Sequence, residues 1–177
     1  MTAVAILAIL LGIAAPSFRD ALLNARMTAR ANDLMADLNL ARSEAVKRNV
    51  TAYVCTSNDN TNCTASAWRD GWIVFADTNM NGVKDANEPA LKFAPGQPDA
   101  TDTLTVTGAT LTGGIANVPY QPSGLSTFGN TITFVLCDYR TVAQVGATVA
   151  DQKGRQITIN QTGRAVSGRR TCAASTG

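Results

Sequence analysis

The sequence contains no histidine. Imidazole is the commonest general base near neutral pH, so its absence excludes Ser-His and Cys-His nucleophile arrangements as well as histidine-ligated metal sites. The chain also lacks the GxxxxGK[ST] and GxGxxG loops that cradle phosphates, and no paired-carboxylate or lysine motif indicates acid–base catalysis. We therefore predict that the protein is not an enzyme and needs no catalytic cofactor.

Charge is missing from the N-terminal segment, MTAVAILAILLGIAAPSF, and the first charged residue is Arg19. The apolar run before Pro16 is shorter than the roughly 20 helical residues that cross a bilayer. No basic region of the kind that opens a secretory signal precedes it. It is either a core helix or a membrane anchor whose first residues lie upstream of Met1, and its apolarity on every face favours the anchor.

After Pro16 the pattern becomes amphipathic and predicts a helix that continues to about Asn49. Apolar residues recur at helical spacing: Phe18, Leu22, Leu23, Met27, Leu34, Met35, Leu38, Ala41, Ala45 and Val46. Charged residues occupy the other face, away from the single stripe to be buried: Arg19, Asp20, Arg26, Arg30, Asp33, Asp37, Arg42, Glu44 and Lys47. At the end of the helix we interpret Arg42, Glu44, Lys47 and Arg48 as a solvated, salt-bridged face. Such a helix exceeds the diameter of a small domain, so we expect its front third to protrude.

From Val50 onward the sequence predicts strands and turns. The predicted strands are VTAYVC, GWIVFAD, PALKF, TLTVTGATLTGG, NTITFVLCD, RQITIN and a short TGRAVSG, whereas NVPYQPSG is predicted to be a loop. Trp68 and Trp72 are expected in the core and at a sheet edge. The fold class is α+β, with one helix packed on an antiparallel sheet. Three segments follow: a hydrophobic helix at 1–18, its amphipathic continuation at 19–50, and a β-rich domain at 51–177.

The cysteines form no CxxC pair of the zinc or redox kind. An even number at wide spacing favours two disulfides formed in an oxidising compartment. Three connectivities are possible. We prefer Cys55–Cys63, which closes the polar loop CTSNDNTNC, and Cys137–Cys172, which fastens the tail.

Several stretches resemble one protein family. AVAILAILLGIAAPSF is similar to the N-terminal helix of type IV pilins and type II secretion pseudopilins. LARSEAVKRN, then WRDGWIVFADTNMNG, then GRQITINQTGRAVSG resemble the GspH/FimT/FimU group of minor pilins in that order. Family members carry a basic leader, a cleavage site and a methylated Phe, so by this resemblance Met1 corresponds to an internal position of the mature helix.

The resemblance implies a structural function. The subunit would sit first in the inner membrane as a single-pass protein with its domain in the periplasm. It would then enter a filament by packing its helix against the helices of other major and minor pilins, an exchange of similarly apolar surroundings. We expect a minor pilin that primes assembly in a complex at the pilus tip. The alternatives are a DNA-binding minor pilin for uptake and a minor pseudopilin of a secretion system.

A loop with the sequence DTNMNGVKDANE has the spacing of a calcium-binding loop. The oxygens that would bind calcium belong to Asp77, Asn79, Asn81, the Val83 carbonyl, Asp85 and Glu88. An EF-hand joins helices, however, whereas both flanks here are predicted strands, and a cation, Lys84, follows Val83. We favour the alternative, an Asn81-Gly82 turn that closes a hairpin between WIVFAD and PALKF.

The net charge of +2 resides in the C-terminal tail, which carries a cluster of cations. These candidate DNA-binding residues are Lys153, Arg155, Arg164, Arg169 and Arg170. By the resemblance, FimT members capture DNA through a C-terminal Gly-Arg-x-Arg element. Here the matching stretch is GRAV, with Val166 in place of the second Arg, and GRR follows it. The alternative is a solvated surface, because no aromatic residue interleaves the cluster to stack on bases.

Overall fold

A computed structural model of the chain describes residues 2–96, 102–112, 114–126, 131–137 and 154–172. One long helix, α1 (Thr2–Arg48), precedes all the strands. It ends where Asn49 adopts a left-handed φ of 56°, a conformation that asparagine tolerates at helix ends. Lys47 and Arg48 in its last turn complement the helix dipole.

Nine described strands follow the helix: β1 (Thr51–Thr56), β2 (Gly71–Asp77), β3 (Lys92–Pro95), β4 (Thr103–Thr107), β5 (Thr110–Thr112), β6 (Ile115–Tyr120), β7 (Ile132–Cys137), β8 (Gly154–Ile159) and β9 (Ala165–Arg170). They form a five-stranded sheet in the order β3-β2-β1-β6-β5 and a four-stranded sheet in the order β4-β7-β8-β9. Every strand pair is antiparallel. The predicted α+β class is confirmed, with two sheets where the sequence predicted one.

The core lies between α1 and both sheets. The buried stripe of the helix repeats at intervals of four and three residues: Met27, Ala31, Leu34, Leu38, Ala41 and Ala45. It shares one hydrophobic cluster with side chains from both sheets, among them Val54, Val118, Phe134 and Ile157. Trp68 and Trp72 are buried in the same cluster, as predicted. A fully buried leucine contributes about 1.5–3 kcal/mol, so the stripe is the main attachment of helix to sheets.

Two predictions about the strands are wrong. NVPYQPSG is a loop only in its second half, because its first four residues complete β6, which pairs with β1. Pro119 lies beyond Asn117, the last residue of β6 that pairs with β5, so its missing N–H donor costs no hydrogen bond to β5. The hairpin of β2 and β3 exists, but a long loop from Thr78 to Leu91 joins them instead of a tight Asn-Gly turn.

Arg42 joins the helix to two turns of the β domain. Its Nε donates a hydrogen bond to the Gly124 carbonyl (2.9 Å), and its Nη2 donates to the Thr162 carbonyl (3.1 Å). The two turns touch each other, since a Cβ on Gly163 would collide with the Gly124 carbonyl oxygen. Gly163 also has a φ of 75°. The prediction of a solvated Arg42 is therefore wrong, because its guanidinium links α1 to both turns through hydrogen bonds.

Asp37 and Arg30, predicted on the helix face opposite the buried stripe, lie against Trp72. The Trp72 Nε1 donates a 2.8 Å hydrogen bond to Asp37 Oδ2, and the Arg30 guanidinium lies 4.1 Å from the indole ring centre. Burial raises the pKa of the Asp37 carboxyl and lowers the pKa of Arg30. The two charged groups thus flank one buried indole, through hydrogen bonding on one side and cation–π attraction on the other.

We expect Gly163→Ala to lower the free energy of unfolding by at least about 2 kcal/mol, because an L-residue loses about 1–2 kcal/mol in a left-handed conformation and the new Cβ meets the Gly124 carbonyl. Gly168→Ala is the matched control. No atom lies within 4 Å of a Cβ built there, so we expect a change within about 0.5 kcal/mol. Denaturant unfolding of both variants measures the difference. Equal losses would contradict the close contact of the two turns.

Candidate functional site

The exposed front of α1 carries an apolar stripe. Phe18 is 64% exposed and Leu22 is 54% exposed; Ala25 and Ala29 are also exposed. Their spacing of four, three and four residues places them on one face of the helix. Among the described side chains Met27 is the first that is buried, and the side chains of 1–17 lie outside the described part. The two large side chains of the stripe therefore precede the contact between helix and sheets, which begins at Met27.

No helix in the described part of the chain is both long enough and apolar enough to cross a bilayer.

The loop from Asp77 to Glu88 is held by hydrogen bonds that end on its own carboxylates. Asp77 Oδ2 accepts from the Gly82 N–H (2.8 Å). Glu88 Oε1 accepts from the Thr78 N–H (2.6 Å), and Glu88 Oε2 accepts from the Asp85 N–H (3.1 Å). Although burial opposes ionisation of Glu88, these hydrogen bonds hold its pKa below the usual value.

The remaining candidate ligands of this loop also bond to one another. Asn79 Nδ2 and Asn81 Nδ2 both donate to Asp85 Oδ2, at 2.6 and 2.8 Å. Asn81 Oδ1 accepts from the Val83 N–H (2.8 Å). No cluster of three or more His, Cys, Asp or Glu side chains within the described ranges could hold a metal ion. The side-chain oxygens of this loop thus close the loop on itself, and its calcium site stays a prediction.

Two disulfides link the four cysteines in the pairing preferred from the sequence, Cys55–Cys63 and Cys137–Cys172. The first closes a loop in which Asp59 Oδ1 accepts the N–H groups of Thr61 (3.0 Å) and Asn62 (2.8 Å). The hydrogen bonds from Asn62, then from Thr61, hold the pKa of Asp59 well below its ordinary range. The Cys55–Cys63 loop is therefore held by a covalent link and by hydrogen bonds to one carboxylate.

The described candidate DNA-binding residues do not form one cluster, because they lie at opposite ends and on opposite faces of the β8–β9 pair. Arg155 and Arg169 are cross-strand neighbours, and Arg155 Nη2 donates to Thr28 Oγ1 on the helix (3.0 Å). Arg170 Nη1 donates to Gln156 Oε1 (2.9 Å). Arg164 lies at the other end of β9, at the β8–β9 turn. Lys153 lies outside the described residues. The arrangement thus brings together Arg155 and Arg169, and places Arg164 apart from them.

Sequence reasoning missed Arg42, Asp37 and Arg30 as structural groups. It placed all three on the helix face opposite the buried stripe. Each of the three lies next to a position of the buried stripe, since Arg42 follows Ala41, Asp37 precedes Leu38 and Arg30 precedes Ala31. A charged residue beside a stripe position can reach the margin of the core, and that adjacency was the available signal.

The family model described as Type II transport protein GspH matches residues 30–163. The chain belongs to the GspH family. The match begins within the part of α1 that packs on the sheets and ends at the β8–β9 turn. The matched range includes Cys55, Cys63 and Cys137 and most of the hydrophobic core, whereas Cys172 follows it. No curated protein matches the chain in sequence.

Solved structures of this family's kind share the fold. Two crystal structures of the type IV minor pilin FimU of Pseudomonas aeruginosa PAO1 superpose with TM-scores of 0.56 and 0.54, at 20% and 19% identity. They cover 80% of this chain and 87% and 91% of the FimU chains. The minor pseudopilin EpsH from the type 2 secretion system of Vibrio cholerae has a TM-score of 0.48 at 13% identity, covering 81% of this chain and 96% of its own. The GspH-family chain thus has the type IV pilin-like fold that the FimU structures share.

We expect calcium at about 1 mM, a level suited to extracellular modules, to leave the melting temperature equal to that in chelator. The reason is that the loop carboxylates already accept hydrogen bonds from the loop's own N–H and amide groups. Differential scanning calorimetry of the full chain measures this. A higher melting temperature in calcium that is lost in Asp85→Asn would contradict the prediction and establish a metal site.

Proposed function

We propose that the protein is a minor pilin that primes assembly of a type IV pilus as part of a complex at its tip, held first in the inner membrane by its apolar front segment. The observation that carries this proposal is the exposed apolar stripe of α1 ahead of Met27. Exposed large apolar side chains aligned on one helix face mark an interface. Its N-terminal continuation is apolar as well.

The stripe suits a partner helix better than it suits the protein's own domain. Phe18 and Leu22 lie ahead of the segment that packs on the sheets, so nothing in the described domain covers them. Small residues at positions 25 and 29 would allow close approach of a second helix. Because lipid and neighbouring helices are similarly apolar, a helix of this kind exchanges one for the other at little cost. The function proposed for the helix is thus membrane retention followed by assembly.

We expect Phe18→Asp and Leu22→Asp to reduce co-isolation of other pilin subunits by at least about tenfold, because burying an unpaired carboxylate costs several kcal/mol. The measurement is affinity isolation of the full chain from membranes of its host, with quantitative mass spectrometry of the accompanying subunits. Asn39→Asp, on an exposed part of the same helix, is the matched control. Isolation of only secretion-system pseudopilins with the unaltered chain would replace the pilus assignment by the pseudopilin one.

DNA capture is a second candidate function, favoured by the pairing of Arg155 with Arg169. Like charges directly opposite each other destabilise a sheet, so an anionic ligand there would relieve a standing repulsion. Phosphate groups provide such charge at regular spacing. The proposal concerns the exposed margin of β9, which is the part of the tail that a nucleic acid could reach.

For this second candidate we expect duplex DNA to bind the detergent-solubilised full chain with affinity that falls steeply as salt rises. The double variant Arg155→Ala/Arg169→Ala should reduce the slope of log affinity against log salt by about 0.9 for each phosphate that the protein no longer neutralises. Lys47→Ala, an exposed cation of the helix end, is the control. Absence of binding at low salt would eliminate DNA capture.

A further inference from the structure

Strand β9 contributes almost nothing to the core. Five of its six residues are exposed, and the remaining one, Ala165, is half-buried. It lies at the end of the four-stranded sheet, next to β8. Among the strands whose side-chain burial the structure describes, which leaves out β5, no other is so exposed. A strand with so few buried side chains is held by its backbone hydrogen bonds to β8 and by the contacts at its two ends.

The chain nevertheless fixes β9 firmly at both ends. Its start is set by the β8–β9 turn, which contacts Gly124 through Gly163. Its end is followed by Cys172, which forms a disulfide with Cys137 at the end of β7. That bond passes over β8 at Gly154, where a Cβ would collide with Cys172 Sγ. A disulfide typically stabilises by about 2–4 kcal/mol, and here it secures a strand without a buried side chain.

The phase of the ladder determines which backbone groups of β9 face outward. In the turn, the Asn160 N–H donates to the Arg164 carbonyl. Hydrogen-bonded and non-hydrogen-bonded pairs alternate along an antiparallel ladder. With the register Ile159–Ala165 to Gly154–Arg170, every second residue from Val166 onward therefore bonds to β8. Ala165, Ser167 and Arg169 direct their N–H and C=O groups away from the sheet.

Among the described strands only β8 pairs with β9, and the outer edge of β9 carries few of the features that normally prevent pairing with another strand. Such edges are blunted by proline, by bulges or by inward-pointing charges. The stretch from Ala165 to Gly168 has none of these, and Gly168 has open space around it. Charge enters only at Arg169 and Arg170. The first four residues of β9 can therefore pair with an added strand. Arg169 and Arg170 at its end favour a strand that carries negative charge there.

Charge identifies the partner. A carboxylate on an incoming strand would lie beside Arg169 and Arg155, which repel each other across β8 and β9. A second copy paired antiparallel about Ser167, the middle outward-facing residue, fits poorly, because it would bring Arg170 of each chain opposite Arg164 of the other. We propose that β9 is a docking strand, onto which another subunit of the filament complex adds an acidic strand by backbone hydrogen bonding.

This inference rests on the proposed function, since the partner is another subunit. Its test uses in-cell photo-crosslinking of the full chain with p-benzoylphenylalanine in place of Gly168, followed by mass spectrometry of the product. We expect a crosslink to a pilin-like subunit at a strand that contains Asp or Glu. Ser167→Pro removes an outward N–H without removing a β8–β9 hydrogen bond, so it should reduce the crosslink at least about tenfold.

Ser167→Ala keeps the N–H and is the matched control, with an unchanged crosslink expected. Arg169→Glu keeps the backbone intact and should also lower the yield, at least about fivefold, which provides a test if Ser167→Pro fails to fold. A crosslink unaffected by both Ser167→Pro and Arg169→Glu would overturn the proposal, as would crosslinking only to DNA or to a second copy. The two proposals can also fail separately. If position 168 crosslinks to no pilin-like subunit, while co-isolation of other subunits still depends on Leu22, the docking of a strand on β9 is wrong and the proposed function stands.

Discussion

The structure depends on burial of one helical stripe against two sheets. Within the described residues the sheets share no strand, and α1 packs its buried side chains into one cluster with both of them. Leu34 and Leu38 are fully buried in the cluster that also contains Phe134 and Val118. Removing the helix would therefore expose both sheets together. A helix in this position transmits to the whole domain any constraint imposed on its protruding front.

Polar contacts at the margin of the stripe give this attachment its register. Apolar packing alone tolerates small shifts of a helix along a sheet, whereas the hydrogen bonds of Arg42 to two carbonyls and of Trp72 to Asp37 do not. Arg42 is only half-buried, whereas the buried carboxylate of Asp37 is compensated by its hydrogen bond from Trp72. The domain thus combines a non-directional core with directional contacts at its boundary.

The sequence predicts those features that depend on neighbouring residues, and it fails for those that depend on tertiary contacts. The helix is predictable because its period of burial is continuous over Met27 to Ala45. β6 was not, because a proline is tolerated only where the neighbouring strand stops, a fact of topology. The loop at 77–88 has ligand spacing, but spacing does not show that its carboxylates turn toward the loop's own N–H groups. The pairing of Arg155 with Arg169 likewise required the register.

The two candidate interfaces differ in their physics, and that difference suits them to different tasks. The apolar stripe at Phe18 and Leu22 attracts any similar surface, so it supplies affinity without distinguishing lipid from one helix or another. A strand edge is directional, because its N–H and C=O groups fix the orientation and register of what pairs with it. Charge at its end adds discrimination. A subunit that must take one place among similar subunits needs both properties, and here the first lies on the helix and the second on β9.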